Sequence, residues 1–238
     1  MSSTIDPSFP PLKPSFQPTS PDEPEKPSVQ KIIDHLQLQK HIEGGYFVET
    51  DRDTLRIPNP FVLQNAKSRT SSSDILVSSR SASTTIHYFL SPSSPLGAFH
   101  RNRGRTVHTL HRGRARYVII HADEVATSSH PGGYGHEEVE ERERWVEKAR
   151  VETFVVGPDI LNGEKLQWIV EGGKYKCSFL LPDDGDGEGK ESEGCLISET
   201  VVPGFEYEDH DFMKRERMEA LLTQEQVDEV GWMLRKDA

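Results

Sequence analysis

The segment FHRNRGRTVHTLHRGRARY, residues 99–117, carries three histidines and six arginines and decides how the fold is read. Successive side chains of an extended strand point to opposite faces. His100, Asn102, Gly104 and Thr106 therefore share one face, with His108 following if the register is unbroken, while Arg101, Arg103 and Arg105 take the other. A row of imidazole, amide and hydroxyl groups on the inner face of a small barrel makes a polar wall suited to a ligand. His111 has the opposite parity and is expected outside.

Working outward, seven short runs read as strands: Thr84 to Leu90, Thr106 to Leu110, Ala115 to His121, Glu152 to Val156, Leu166 to Val170, Tyr175 to Leu181 and Leu196 to Val202. Each is β-branched or aromatic and bounded by Gly, Pro or charge, the pattern of a sandwich or barrel. Helices are expected only at the ends. Ser28 is placed as the cap of a segment with Ile32, Ile33 and Leu36 on one face, stopped by Gly44 and Gly45. Thr223 with Gln226 forms a capping box ahead of a final helix carrying Val227, Val230 and Leu234.

The remaining composition sits around this frame. Of 238 residues, 34% are hydrophobic and 28% charged, against about 45–50% and about 25% in ordinary globular chains. The deficit is local. Residues 1–27 hold eight of the 16 prolines and are read as a disordered tail, since they lack the apolar area to offset their ordering entropy. Surface insertions are read at about 52–83, 123–150 and 183–194, and residues 213–238 form a C-terminal helical extension. One domain, 28–212, remains.

The net charge of −11 argues against general affinity for nucleic acid or anionic membrane. Apolar runs such as Tyr117 to Ile120 fall far short of the roughly 20 residues of a spanning helix. With only Cys177 and Cys195 and no visible leader, a cytoplasmic protein is expected, the nucleus being the other reducing compartment. Cys177 is read as a small buried apolar side chain.

Four segments together resemble the fifth family of the cupins: LQLQKHIEGGYFVET at 36–50, STTIHYFL at 83–90, FHRNRGRTVHTLHRG with QWIVEGG at 167–173, and ETVVPGFEYEDHDF at 199–212. The resemblance spans roughly 28–212. It implies a mainly β fold, the cupin double-stranded β-helix or jelly roll, with short flanking helices and a ligand pocket in the barrel. It also implies a homodimer, and it carries no defined activity. The family usually has Arg where Val48 stands.

Cupins space their first metal motif as H-x-H, three or four residues, E, six residues, G. Counting back from Gly113 puts Thr106 at the glutamate, Asn102 at the second histidine and His100 at the first; Lys176 stands at the histidine of the second motif. An amide, a hydroxyl and an ammonium do not replace the ligands that Fe, Mn or Zn prefer. The usual metal site is therefore expected to be absent, and no cofactor is assigned. A rebuilt site would need His87, His100 and His108 to converge, with Glu49 or Glu199 as carboxylate.

The leading expectation is a protein that binds a small polar, anionic metabolite inside the barrel. Tyr46, Glu49, His100, Thr106, His108, Gln167 and Glu199 are the lining candidates, with the arginines near the rim. The competing reading of those arginines is a solvated outer face. One enzymatic alternative is a metal-free epimerase of the sugar-nucleotide kind, with His100 as base and Tyr46 as acid. A metal-dependent oxygenase or isomerase on the rebuilt site is another. A storage protein would require an apolar interior. Val202-Pro203-Gly204-Phe205 is expected to turn Phe205 back onto the barrel mouth.

Overall fold

A computed structural model of the protein describes residues 2–18, 20, 24–61, 79–125, 148–183 and 191–236. Most of the three expected insertions, at 62–78, 126–147 and 184–190, lies outside the described residues. The strands are β1 (Gln39–Lys40), β2 (Tyr46–Arg52), β3 (Arg56–Pro58), β4 (Ser79–Ser81), β5 (Thr84–Leu90), β6 (Leu96–Arg101), β7 (Arg105–Arg112), β8 (Ala115–Ile120), β9 (Val151–Val156), β10 (Gln167–Val170), β11 (Tyr175–Leu180), β12 (Cys195–Val202) and β13 (Asp211–Phe212). The helices are α1 (Pro27–Leu36), α2 (Arg215–Leu221) and α3 (Gln224–Val230).

Two antiparallel sheets face each other, in the orders β1-β2-β5-β12-β7-β10 and β13-β6-β11-β8-β9, with β3-β4 as a separate ribbon. This is the jelly-roll arrangement. All seven expected strands are present, with ends shifted by a residue or two. β8 and β11 are buried along their whole length, because the second sheet is covered on both sides. Tyr117 and Ile119 point between the sheets, whereas Val118, Ile120, Tyr175, Cys177 and Phe179 pack outward under Met218, Leu221, Val227 and Val230 of α2 and α3. Burying each such side chain stabilises the fold by roughly 1.5–3 kcal/mol.

The inner space is filled unequally along the strands. Tyr88 and Leu90 of β5, Ile197 of β12, Tyr117 of β8 and Trp168 of β10 pack one end solid. Farther along the same strands, Thr84, Ile86, Glu199 and Val201 line an open cleft. The barrel thus has an aromatic floor and one accessible mouth.

Several expectations need correction. α1 begins at Pro27 after Lys26 with no side-chain cap, so Ser28 sits inside the first turn, and it ends at Leu36 with Gln37 in the left-handed conformation (φ 55°). Gly44 and Gly45 instead shape the turn into β2. The final helix has its Thr223–Gln226 capping box but closes at Val230, leaving Leu234 outside it. β4 lies within the expected insertion 52–83, and its Arg80 is buried because the guanidinium pairs with Asp209 at 2.5 Å and bonds the Gly204 carbonyl. Parts of the tail are likewise integrated. Leu12 is buried beside α3, Glu229 accepts from the backbone N–H groups of Thr4 and Leu12, and Trp232 donates to the Leu12 carbonyl. No helix among the described residues is long and apolar enough to cross a membrane.

Candidate functional site

The inward parity of three strands builds the first cluster. Lys176 of β11, His108 of β7 and Glu199 of β12 meet between the sheets, with Lys176 Nζ 2.5 Å from Glu199 Oε2 and 2.8 Å from His108 Nε2. His108 is flat against Trp168, ring centroids 5.0 Å apart, so the aromatic floor fixes its orientation. An ammonium only donates, hence His108 Nε2 and Glu199 both accept from it. Burial pushes the Glu199 carboxyl up, but Lys176 and His108 outweigh it and hold the group far below the ordinary range. Burial and the Lys176 charge together lower His108.

A second cluster surrounds Glu43, in the turn between β1 and β2. Its Oε2 lies 3.3 Å from His100 Nε2 and 3.5 Å from His41 Nδ1, and its Oε1 lies 2.8 Å from His210 Nε2. Three separate segments contribute: the 41–45 turn, β6 and the stretch before β13. β5 and β6 hold the turn in place, since Ala98 N–H of β6 donates to the Glu43 carbonyl and the Tyr88 hydroxyl of β5 donates to the Gly44 carbonyl. Gly44 (φ +100°) admits this approach because a Cβ there would lie 2.0 Å from the Leu96 oxygen. Burial raises Glu43, but the His100 and His41 imidazoles and the His210 hydrogen bond bring it well below its usual value. Burial lowers His100 to about 4.

Glu43 and Glu199 both reach a cleft of about 650 Å³, open mouth included, with Phe47, Glu49, Arg52, Asn102, Phe205 and others around it. Phe205 does fold onto the mouth. Of the expected lining residues, Glu49 and Glu199 line the cleft; His100 and His108 stand buried behind it, in contact with Glu43 and Glu199. Thr106 has the inward parity but is buried within the sheet opposite Val170 and Val201.

Three candidates are displaced. Tyr46 points outward, packing with Val29 and Ile33 of α1 and donating its hydroxyl to Glu25, because the first residue of β2 has outward parity. Gln167 is exposed and donates to the Thr109 hydroxyl. His87 lies outside against His111, 5.7 Å between ring centroids, so His87, His100 and His108 do not converge. The arginines also face outward: Arg101 pairs with Asp211, Arg105 with Glu171 and Arg114 with Glu164, while Arg116 lies over Phe9. His41, Arg52, Lys176 and His210 were not among the sequence candidates. The sequence signal is motif membership, of His41 in 36–50, of His210 in 199–212 and of Lys176 in the second cupin motif; Arg52 lies outside all three.

A model of the family described as Cupin superfamily (DUF985) matches residues 30–213. The chain belongs to this cupin family. It is 38% identical over 213 residues, 88% of each chain, to "Uncharacterized protein YML079W" of Saccharomyces cerevisiae. Among solved structures, a "Hypothetical protein from Leishmania major" superposes with a TM-score of 0.60 at 24% identity, covering 87% of this chain and 98% of that one. Protein SO0799 from Shewanella oneidensis gives 0.55 at 19% identity, covering 87% and 96%. These likenesses show the fold.

The metal that many cupins carry does not fit its usual place here. Thr106 and Asn102 replace two ligands, and the Lys176 ammonium bridges His108 and Glu199 as a fixed cation in the barrel. No chemistry is derived through that site.

Proposed function

We propose that this cupin binds a small polar molecule, rich in hydroxyl or amino donors, in the cleft at the open end of its barrel. The observation that carries the reading is the cleft itself: it penetrates to charged Glu199, buried, and charged Glu43, whose side chain is 9% exposed. Buried ionised groups are costly and concentrate at functional sites.

The lining favours donors over anions. Glu43, Glu49, Glu199 and Glu206 supply four carboxylates against the one guanidinium of Arg52, which pairs with both Glu49 and Glu206. With Arg101, Arg105 and Arg114 paired on the outer face, the expectation of an anionic metabolite rests, among the described lining residues, on the Arg52 guanidinium, whose charge Glu49 and Glu206 share. Phe47, Ile86 and Phe205 offer apolar surface for a ring or carbon skeleton. An epimerase using Tyr46 is disfavoured by that residue's outward position, and a storage role by the charged interior.

The test is a binding screen of sugars, polyols and amines beside their phosphorylated or carboxylated counterparts. A neutral or cationic ligand should emerge whose affinity falls at least tenfold, about 1.4 kcal/mol, in Glu49→Gln and in Phe205→Ala. Consistent preference for the anionic counterpart would overturn the charge argument. Ligands bound equally by both variants would overturn the cleft.

A further inference from the structure

We propose that Glu43, His100 and His210 form a divalent transition-metal site at the wall of the cleft, separate from the usual cupin metal position. Of these three, only His100 falls in a cupin metal motif; Glu43 comes from the turn before β2 and His210 from the segment before β13. Their donor atoms lie within 4.8 Å of one another. Two donors each about 2.1 Å from one ion and at tetrahedral or right angles to each other stand about 3.0–3.4 Å apart. His100 Nε2 lies 3.3 Å from Glu43 Oε2, which fits, whereas His210 Nε2 lies 2.8 Å from the other oxygen, Oε1, the length of a hydrogen bond that an ion would replace with a slightly longer separation.

Proton geometry gives an independent reason. His100 Nδ1 lies 2.8 Å from the Ala98 carbonyl, which can only accept, so this nitrogen carries the hydrogen. In the neutral ring Nε2 then presents a lone pair, and it faces a carboxylate oxygen. Two acceptors turned toward each other require a cation between them or a second proton on the ring. The same fold supplies a comparison: at His108 and Glu199 the two acceptors are bridged by the Lys176 ammonium. Around Glu43 the acting groups are imidazoles.

The backbone bond on Nδ1 also fixes the tautomer that ligates through Nε2, the arrangement common to metal-bound histidines. Two imidazoles and one carboxylate are the donor set of Fe(II), Mn(II), Co(II) and Zn(II) sites. His41 Nδ1, 3.5 Å from Glu43 Oε2, has no hydrogen-bond partner among the described residues and is placed to join or to orient the carboxylate. Since Glu43 also lines the cleft, an ion here would stand beside whatever the cleft holds.

The full-length protein, dialysed against EDTA, would be titrated with Co(II) or Zn(II) alone. One equivalent per chain is expected, with visible Co(II) ligand-field bands. Affinity should fall at least tenfold in Glu43→Gln and in His210→Ala. His121→Ala should bind as wild type, because it removes the other His/Asp/Glu group, His121–Asp123–Glu124, in which Lys174 already pairs with both acids. Should Glu43→Gln not fold, His210→Ala decides alone. Absence of stoichiometric binding, or binding unchanged in His210→Ala, would overturn the site. The titration contains no organic ligand, so its outcome is independent of what the cleft binds.

Discussion

The Lys176 ammonium lies 2.5 Å from the Glu199 carboxylate, and both are almost fully buried between the two sheets. Breaking such a pair leaves an uncompensated charge in the barrel. Lys176→Met should therefore cost about 3–5 kcal/mol in urea unfolding, and the double variant Lys176→Met/Glu199→Leu should recover much of it. Additive losses would show that the two side chains are not coupled.

The same cluster sets the acid response. The Glu199 carboxyl is depressed in the folded state, so its contribution is complete above the unfolded value near 4.5 and is lost as pH falls below it. His108 is also depressed, so protonating it opposes folding, and stability declines as pH drops below about 6.5. Unfolding free energy should fall from about pH 6.5 downward and more steeply below 4.5, by up to about 1.4 kcal/mol per pH unit for each group. His108→Gln should flatten the upper part of that slope.

Gly44 ties the Glu43 turn to the barrel. Gly44→Ala places a Cβ 2.0 Å from the Leu96 oxygen at φ +100° and should cost at least about 2 kcal/mol while weakening Co(II) binding. Gly163→Ala, also at positive φ but with nothing within 4 Å, should cost only about 1 kcal/mol and leave Co(II) binding untouched. Equal effects of the two would remove the argument from close approach.

The N-terminal segment contributes to the core. Leu12→Ala should lower stability by about 2–3 kcal/mol, as for a buried aliphatic truncation, because Leu12 packs among α2, α3 and the outer face of the second sheet. A change below about 0.5 kcal/mol in chemical denaturation would show the tail detached in solution.

Edge strand β10 exposes Ile169, and Leu166 precedes it, also exposed. Unpaired edges with apolar side chains invite a second copy, so a homodimer of two 26.9 kDa chains is the expected native mass. Ile169→Lys should shift that mass toward the monomer. A purely monomeric wild type at micromolar concentration would refute the dimer.

Period-two alternation and punctuation by Gly, Pro and charge determined the strands of this protein, because a sheet residue's side is settled by its neighbours in sequence. That is why His100, His108 and Glu199 were legible as inward-facing, and why Thr223 and Gln226 marked a helix start. Strands such as β2 were missed, since YFVETDR is half exposed and its parity has no apolar signature.

Tertiary structure alone decided which inward groups meet. Lys176 and His108 are 68 residues apart and Glu43 and His210 are 167 apart, yet each pair is in hydrogen-bond contact. No local rule brings such residues together; the packing of the β11 sheet against the β7 sheet does so for the first pair, and the docking of the 41–45 turn and of β13 on β6 for the second. Tyr46 and Gln167 failed as candidates for the complementary reason: a polar atom in an apolar strand has two faces to choose from, and only the packing of α1 and the position of β10 at the sheet edge turned them away from the barrel.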